Sequence, residues 1–450
     1  MTALYRPSPP IDAPLLPSLP SQRTARPVAL MVVALAFICC LPYPALNIGN
    51  SSALQMGNIL CIAVAALVLA TTTAGNKPYY ILPLLLVPLC VSALKVAATG
   101  NGDMQLALKA LCVIAVSGCS LLAAQFLLPQ FALEILIGIA AATLLHVAVG
   151  FWQYYCFRDG LFPFASLYVN QSFLSVQRQA FAFANYEQRP FGLFPEPSAM
   201  SSSLAPWIIV FVAQLLGLLR LRRQPSPAQR LLLAAAAIGG LALIILSQSG
   251  LAAVTVSAVA LLLVIWFPTA KASPRNISIL LVLFGLAVPV VIWALFRSLE
   301  SRVHELPLGN GSWEERSSSL AVGFSLVANG DIFTMLFGLG PGHSAVGVWK
   351  VARLQAVYSI LLTYIYETGI VGLLAVTVVA RLLFRAWSQC RFNLTFPLVA
   401  AVWLIGITVT TSYPQLLPPW IALAFLLAWP TLAEPANPRA AIPAPATLNT

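Results

Sequence analysis

Long apolar runs, separated by short polar breaks, dominate the pattern of this chain. Twelve runs reach the 17 to 25 or so residues that a helix needs to cross a hydrocarbon layer of about 30 Å. Because backbone groups in hydrocarbon need internal partners, each run is predicted to be a helix. The predicted spans are 28–46, 54–72, 79–97, 105–127, 131–152, 198–219, 230–247, 250–268, 277–297, 356–380, 395–412 and 415–432.

The composition of the chain is also typical of a membrane protein. Hydrophobic residues make up 60% of its 450 residues and charged residues 8%, whereas roughly a quarter of a soluble domain is charged. We therefore predict an all-α polytopic membrane protein with one transmembrane domain, residues 28–433. Residues 1–27 and 434–450 are rich in proline, and both are predicted to be disordered cytoplasmic tails, the first of them not a signal peptide.

Basic residues orient the predicted bundle, because short loops rich in Lys and Arg stay in the cytoplasm. The short connections LNIGNSS, TGNGD, SQSG and SYPQ lack both residue types. The connections that alternate with them carry Lys77, the segment 220–230, Lys271 with Arg275, and Arg381, Arg385 and Arg391. Both termini are therefore predicted to be cytoplasmic. The formal charge of +11 then reflects topology, and no nucleic-acid partner is expected.

Two long connections, 153–197 and 298–355, fall on the outer side of this topology and hold most of the remaining charged residues. Loops of this length are more often functional than passive. The eight cysteines fall mostly inside apolar runs, and no Cys/His cluster has metal-ligand spacing, so no metal or cofactor is expected. Walker-type loops and nucleophile elbows are also missing from the sequence.

Arginines in the two outer loops are the candidate ligand-binding residues. Arg189 opens the stretch RPFGLFPEPS, and the second loop adds Arg302 and Arg316. The planar guanidinium group suits phosphate recognition, so a lipid-linked diphosphate at the membrane surface is the candidate ligand. In the alternative interpretation each arginine is an interfacial anchor whose charged end reaches water.

Two residues compete for the role of general base. Glu196 lies between two prolines directly before Ser198, where it either accepts a proton or complements the positive end of a helix dipole. The hydroxyls of Ser198 and Ser201 are expected to cap the sixth span. His343 follows the turn GLGPG and is either a base or a structural residue. His146, inside the fifth span, is expected to bond another helix.

Four segments between Arg189 and Gly372 resemble, in order, segments of the bacterial O-antigen polymerase and O-antigen ligase family of membrane glycosyltransferases. RPFGLFPEPS is similar to an Arg-x-x-Gly-x-Phe motif, and LSQSGLAAV (246–254) to a serine-rich helix start, with Gln248 where arginine is common. WEERSSSLAVGFSLVANGDIFTMLFGLGPG resembles the long outer loop. YSILLTYIYETGIVGLL (358–374) resembles the closing segment, but Tyr358 and Ser359 replace the His-Asn pair of ligases, which favours the polymerase branch.

This resemblance implies an enzyme at the outer face of the bacterial inner membrane. It would transfer a growing glycan from undecaprenyl diphosphate to a hydroxyl of the next carrier-linked repeat unit, without nucleotide sugar or metal. Its expected partners are the undecaprenyl-diphosphate-linked oligosaccharide, membrane lipid and a chain-length regulator protein. The product can be O-antigen, capsule or exopolysaccharide. The alternatives are an O-antigen ligase-like transferase and a non-enzymatic transporter of polysaccharide precursors.

The resemblance also implies roles for individual residues. Arg189, Arg316 and Arg302 would stabilise the departing diphosphate, and Tyr358 would contact the substrate. Glu196 or His343 would activate the acceptor hydroxyl, with Glu196 preferred because it lies within the arginine motif and at the start of a rigid span.

Overall fold

A computed structural model describes residues 22–42, 45–47, 53–71, 81–100, 102–159, 161, 163, 189–219, 221, 223–269, 312–354, 357–390, 394–410 and 414–432. Most of these residues are helical. The helices are α1 (Gln22–Cys39), α2 (Met56–Thr71), α3 (Ile81–Thr99), α4 (Met104–Arg158), α5 (Pro197–Leu215), α6 (Pro227–Leu246), α7 (Gly250–Thr269), α8 (Ser312–Ala328), α9 (Ile332–Phe337), α10 (His343–Ala352), α11 (Ile360–Gln389), α12 (Thr395–Ile405) and α13 (Pro418–Leu432), with a π-helix at Gly406–Thr410.

Within the described ranges, five helices are long and apolar enough to cross a membrane by length and composition: α3, α4, α5, α6 and α11. Shorter apolar helices of 10–17 residues occur in α1, α2, α7, α12 and α13. The predicted class, a helical membrane protein, agrees with this architecture. The predicted span 277–297 lies outside the described residues, and the number of twelve spans stays a prediction.

The connection between the first two predicted spans differs from the predicted loop. Helix α1 ends at Cys39, seven residues before the predicted end of its span, and two prolines follow within five residues. Proline lacks the N–H that a continuing helix requires. The chain then forms a short antiparallel hairpin in which Ala45–Asn47 pairs with Ala53–Gln55. At its other end α1 begins at Gln22, inside the segment predicted to be a disordered tail.

The fourth and fifth predicted spans form one bent helix of 55 residues, α4, with no loop between them. A straight helix of that length would measure about 82 Å, far more than a hydrocarbon layer of about 30 Å. Phe131 has non-helical dihedral angles (φ −125°, ψ 28°), and Pro129 lies just before it. The bend therefore divides α4 into two segments, each long enough to span a membrane.

The second segment of α4 lies parallel to α1. Gly138 faces the backbone of Val33 and Phe37, and His146 further along contacts the carbonyl of Cys40. The contacts advance in the same direction along both helices. The end of α4 and the end of α1 therefore lie on the same side of the bundle.

Helix α5 occupies the centre of the described core. Nearly every residue from Ala199 to Phe211 is buried, and it packs against α6, α7, α12 and α13. Trp207 contacts the edge of Phe425 at 5.6 Å between ring centroids, and Phe425 contacts Trp429 at 5.5 Å. A residue at the start of α5 is thus attached to the densely packed centre of the described residues.

Three helices, α8, α9 and α10, lie in the second long connection, where the sequence predicted a loop. Asp331 begins α9 by accepting the N–H of Thr334 at 2.7 Å. The hydroxyl and N–H of Thr334 hold the pKa of Asp331 below its ordinary value. Gly338, Gly340 and Gly342 have φ of 79°, 106° and 76°, a backbone that side chains disfavour, and they turn the chain from α9 into α10.

We expect Gly138→Ala to destabilise the bundle. The added Cβ would lie 2.4 Å from the Val33 carbonyl oxygen and 3.0 Å from the Phe37 nitrogen, and backbone atoms cannot rotate away. Overpacking of this kind costs about 1 to 3 kcal/mol. The thermal midpoint of purified protein in detergent should fall. Gly347→Ala is the matched control, because its Cβ would meet only the Leu326 methyl end at 2.9 Å; equal midpoints for the two variants would contradict the tight α1–α4 crossing.

Candidate functional site

The segment from Arg189 to Leu193 forms a turn that is docked on the second half of α4 through Gln153. The Gln153 Oε1 accepts the N–H groups of Phe191 at 3.1 Å and Gly192 at 2.8 Å. Its Nε2 donates to the Gly192 carbonyl at 2.8 Å. Gln153 is fully buried, so these bonds form away from water and hold the turn in one conformation.

His146 holds the same turn from a position two helical turns before Gln153 in α4. Its Nδ1 accepts the Leu193 N–H at 3.2 Å, and its Nε2 is 2.8 Å from the Cys40 carbonyl. A carbonyl only accepts, so Nε2 carries the proton and the ring is neutral. The Phe194 ring stacks on His146 at 4.5 Å. The prediction that His146 bonds another helix is met only in part, because its partners are the residue that follows α1, Cys40, and the turn that carries Leu193.

Gly192 is the residue that makes this turn possible. Its φ is 59°, in the left-handed region that glycine adopts without strain. A Cβ at this position would lie 3.0 Å from His146 Nδ1. Backbone conformation and close packing therefore both require the glycine of the Arg-x-x-Gly-x-Phe pattern.

Glu196 lies at the N-cap of α5 with extended backbone (φ −159°, ψ 163°), and Pro197 occupies the first turn. Proline favours this position and imposes an extended conformation on the residue before it. The Glu196 side chain makes no capping bond to the helix N–H groups. Its carboxylate accepts the hydroxyl of Ser198 instead, and it is half-buried.

The prediction that serine hydroxyls cap α5 is wrong. The Ser198 hydroxyl donates to Glu196, and the Ser201 hydroxyl donates to the Pro197 carbonyl at 2.9 Å. The reason is positional: Glu196 holds the N-cap, so both serines lie within the helix, where hydroxyls bond the preceding turn.

The Arg189 turn and a basic segment lie near opposite ends of the second half of α4. Arg223, in the basic connection 220–230, forms an ion pair with Glu134, whereas the turn is bound at Gln153. Glu134 and Gln153 both lie in the helical part of α4 after its bend, and the 19 residue steps between them rise about 28 Å at about 1.5 Å each. This separation is close to the thickness of a hydrocarbon layer.

The serine-rich segment 246–254 adjoins the start of α5. The hydroxyls of Ser247 and Ser201 are 3.3 Å apart, and both residues are fully buried. Gln248, where the resembled family often has arginine, has a left-handed φ of 50°. Two of the four motif segments are therefore neighbours.

Arg316 and Tyr358, predicted separately as substrate-binding residues, meet in the structure. The Arg316 guanidinium lies over the Tyr358 ring at 5.6 Å, a cation–π arrangement. The hydroxyl of Tyr366 donates to the Leu320 carbonyl at 2.9 Å and fixes α8 against α11. The third and fourth motif segments are thus neighbours as well.

His343 connects the turn Gly338–Gly342, hereafter the glycine turn, to the short connection between α3 and α4. Its Nε2 accepts the Asp103 N–H at 2.8 Å, and its Nδ1 is 3.0 Å from the Pro341 carbonyl, to which it must donate. Both ring nitrogens are engaged, so accepting a substrate proton would require breaking the bond to Asp103. This geometry favours a positioning role for His343, and the choice between it and Glu196 as base stays a prediction.

Glu367 was not assigned to the site from sequence, although an acid in an apolar run is a functional signal. It is only 4% exposed. Its carboxylate accepts the Ser344 hydroxyl at 2.6 Å and the N–H groups of Gly342 and Ser344. Two residues on, Gly369 interrupts α11 with φ 63° and ψ −148°. Glu367 therefore binds the start of α10 to the break in α11.

A lysine of α3 also bonds the segment between α9 and α10, next to the contact between α10 and α11. Lys95 donates to the Gly338 carbonyl at 2.9 Å and to the Thr334 hydroxyl at 3.0 Å. The Ser92 hydroxyl, one turn before Lys95, donates to the Glu367 carbonyl at 2.5 Å. The helices of the second long connection are thus tied to two apolar helices of the bundle.

The candidate residues therefore form two clusters. The first is the segment that carries Arg189 and Glu196, seven residues apart in the chain, and the second is the pair Arg316 and Tyr358, which are in contact. Arg302 lies outside the described residues, and the meeting of the two clusters around one ligand stays a prediction. No protein-family model, curated protein or solved structure matches this chain.

Proposed function

We propose that this chain is a polysaccharide polymerase of the outer face of a bacterial inner membrane. It transfers a growing glycan from undecaprenyl diphosphate to a hydroxyl of a carrier-linked repeat unit. The observation that supports this most is the segment 189–196. Its turn is hydrogen-bonded to Gln153, and its last residue, Glu196, begins α5, so an arginine and a carboxylate are both attached to the packed bundle. The carrier's polyprenyl chain remains in the bilayer while its diphosphate meets the arginines.

The leaving group determines the need for cations. When the bond between the anomeric carbon and the phosphate oxygen breaks, negative charge develops on that oxygen, and a preorganised cation stabilises it. Arg189, Arg316 and Arg302 are proposed to supply this charge. Tyr358 orients the Arg316 guanidinium by lying beneath it and contacts the substrate beside it. No metal or cofactor takes part in this proposal.

Glu196 is the proposed general base. The acceptor hydroxyl attacks the anomeric carbon, its proton passes to the Glu196 carboxylate, and the carrier diphosphate departs with the bonding electrons. The Ser198 hydroxyl already donates to this carboxylate and so orients it. His343 is proposed to position the glycine turn through its bond to Asp103.

Twelve membrane spans with cytoplasmic termini are proposed as the topology that presents these clusters to the outer side. The separation of about 28 Å along α4 between Glu134, which pairs with Arg223, and Gln153 supports this orientation. Fusions test it: a reporter active only outside the cytoplasm should be inactive after residue 225 and active after residue 310. The opposite result at either position would overturn the topology.

Product analysis in cells distinguishes the polymerase from its alternatives. Deleting a polymerase should leave single repeat units on the carrier at the outer face. Deleting a ligase would instead leave long carrier-linked chains that are not attached to their acceptor. Deleting a precursor transporter would leave repeat units on the cytoplasmic side. Either of the last two patterns would refute the polymerase assignment.

A further inference from the structure

Two cysteine thiols meet between the first two helices. The sulfur atoms of Cys39 and Cys61 are 3.3 Å apart, and each residue is 2% exposed. Cys39 is the last residue of α1, and Cys61 lies in the second turn of α2. Both positions are therefore close to the connection that joins these helices, on the same side of the bundle.

The backbones approach closely at this point because of Gly57. A Cβ on Gly57 would lie 2.9 Å from the Cys39 Cα. Gly57 and Cys61 are four residues apart and share one face of α2. A disulfide has an S–S distance of about 2.05 Å, so the two sulfurs need to approach by only about 1.3 Å from 3.3 Å. Rotation of the two cysteine side chains is proposed to supply this movement.

We propose that Cys39 and Cys61 form a disulfide that joins α1 to α2 in the mature protein. The inference rests on the topology given under the proposed function, in which this end of α1 faces the oxidising outer side. Arg26, near the other end of α1, belongs to the basic N-terminal segment assigned to the cytoplasm. Structural disulfides form and persist in the bacterial periplasm and are rare in the cytosol.

The chemistry is an exchange with an external disulfide, carried by a thiol-oxidising protein. The thiolate of one cysteine attacks the external disulfide and forms a mixed disulfide, and the thiolate of the other cysteine then displaces the oxidant. The two thiols lose two protons and two electrons, and the oxidant leaves as a dithiol. Both thiols are buried between α1 and α2 in the folded protein. The exchange therefore takes place before these two helices have packed against each other.

Two other cysteines provide internal controls. Cys40 is fully buried next to Cys39 in sequence, and Cys119 is half-buried on α4. Both are near neighbours of Cys61. The proposal assigns the partner of Cys61 to Cys39 alone, so replacement of Cys40 or Cys119 by serine should leave the bond in place.

The test is peptide mapping of the full chain taken from membranes of cells with intact periplasmic thiol oxidation. Denaturation in acid with excess N-ethylmaleimide traps free thiols before digestion. We expect a peptide pair linking Cys39 to Cys61, lighter than the two separate peptides by two hydrogen atoms, resolved by reductant, and retained in the Cys40→Ser and Cys119→Ser variants. Alkylation of both Cys39 and Cys61 in the wild-type chain, or a link from Cys61 to Cys40, would overturn the proposal.

The mapping and the topology fusions fail in distinguishable ways. Free thiols in a chain whose reporter after residue 310 is active would reject the disulfide and leave the proposed topology and enzyme in place. Free thiols together with reversed reporters would reject the topology, and the disulfide proposal with it. The linked peptide itself does not depend on any glycan-transfer activity.

Discussion

Replacing Glu196 with glutamine should lower polymer synthesis by about 100- to 10,000-fold, the range of a general-base contribution. Glutamine keeps the shape of the side chain, and its carbonyl oxygen can still accept the Ser198 hydroxyl that the carboxylate accepts. The α5 start should therefore stay folded and the carrier should still bind. Turnover and KM of the purified variant, measured with a carrier-linked repeat unit, should show the loss in kcat and little change in KM.

Two variants serve as controls for this substitution. Glu134→Gln makes the same chemical change at a carboxylate that pairs with Arg223 near the other end of the second half of α4, and it should leave turnover near normal. His343→Asn should have a smaller effect than Glu196→Gln, because the histidine nitrogens already bond Asp103 and Pro341. Near-normal turnover of Glu196→Gln beside an inactive His343→Asn would reverse the assignment of the base.

Replacing Arg189 or Arg316 with alanine should abolish polymer formation while membrane insertion remains intact. Each guanidinium is proposed to stabilise the same departing diphosphate, and lysine is a poor substitute at a bidentate phosphate site. Quantification of glycan chains and of protein in the membrane fraction measures both parts of this prediction.

Arg353→Ala is the matched control for Arg316→Ala. Arg353 lies over the Trp349 ring at 5.8 Å, as Arg316 lies over Tyr358 at 5.6 Å, and both belong to the second long connection. The control should keep most of its polymer yield. The shared-site hypothesis would fail if the Arg189 and Arg316 guanidinium groups lay more than about 15 Å apart in a carrier-bound structure, beyond the reach of two side chains and a diphosphate.

The helical class was predictable from sequence because it depends on the length of apolar runs. The bend at Phe131 was harder, since Pro129 can end a helix or only kink it, and packing decides which. The helices α8 to α10 were missed because segments in polar surroundings lack the long apolar runs on which the spans were assigned. Their order comes from contacts such as Lys95 with Gly338, which sequence does not reveal.

The candidate site was likewise predictable only in part. Arg189, Glu196, Arg316 and Tyr358 were identified by residue type and motif, yet the residues that hold them were not. Gln153 contacts a turn 39 residues away, and a polar residue within a span does not indicate which partner it bonds. The hydrogen bonds between Gln153 and the turn therefore depend on tertiary structure, whereas the charged residues of this segment can be identified in the sequence.

Elongation of a defined carrier by the purified chain tests the central claim most directly. The full-length protein in lipid vesicles is incubated with a synthetic undecaprenyl-diphosphate repeat unit and no nucleotide sugar, and the products are separated by size. We expect a ladder of longer carrier-linked glycans from the wild-type chain and only the starting repeat unit from Glu196→Gln. A folded wild-type protein that leaves the repeat unit unchanged, or that extends it only when nucleotide sugar is added, would contradict the proposed polymerase.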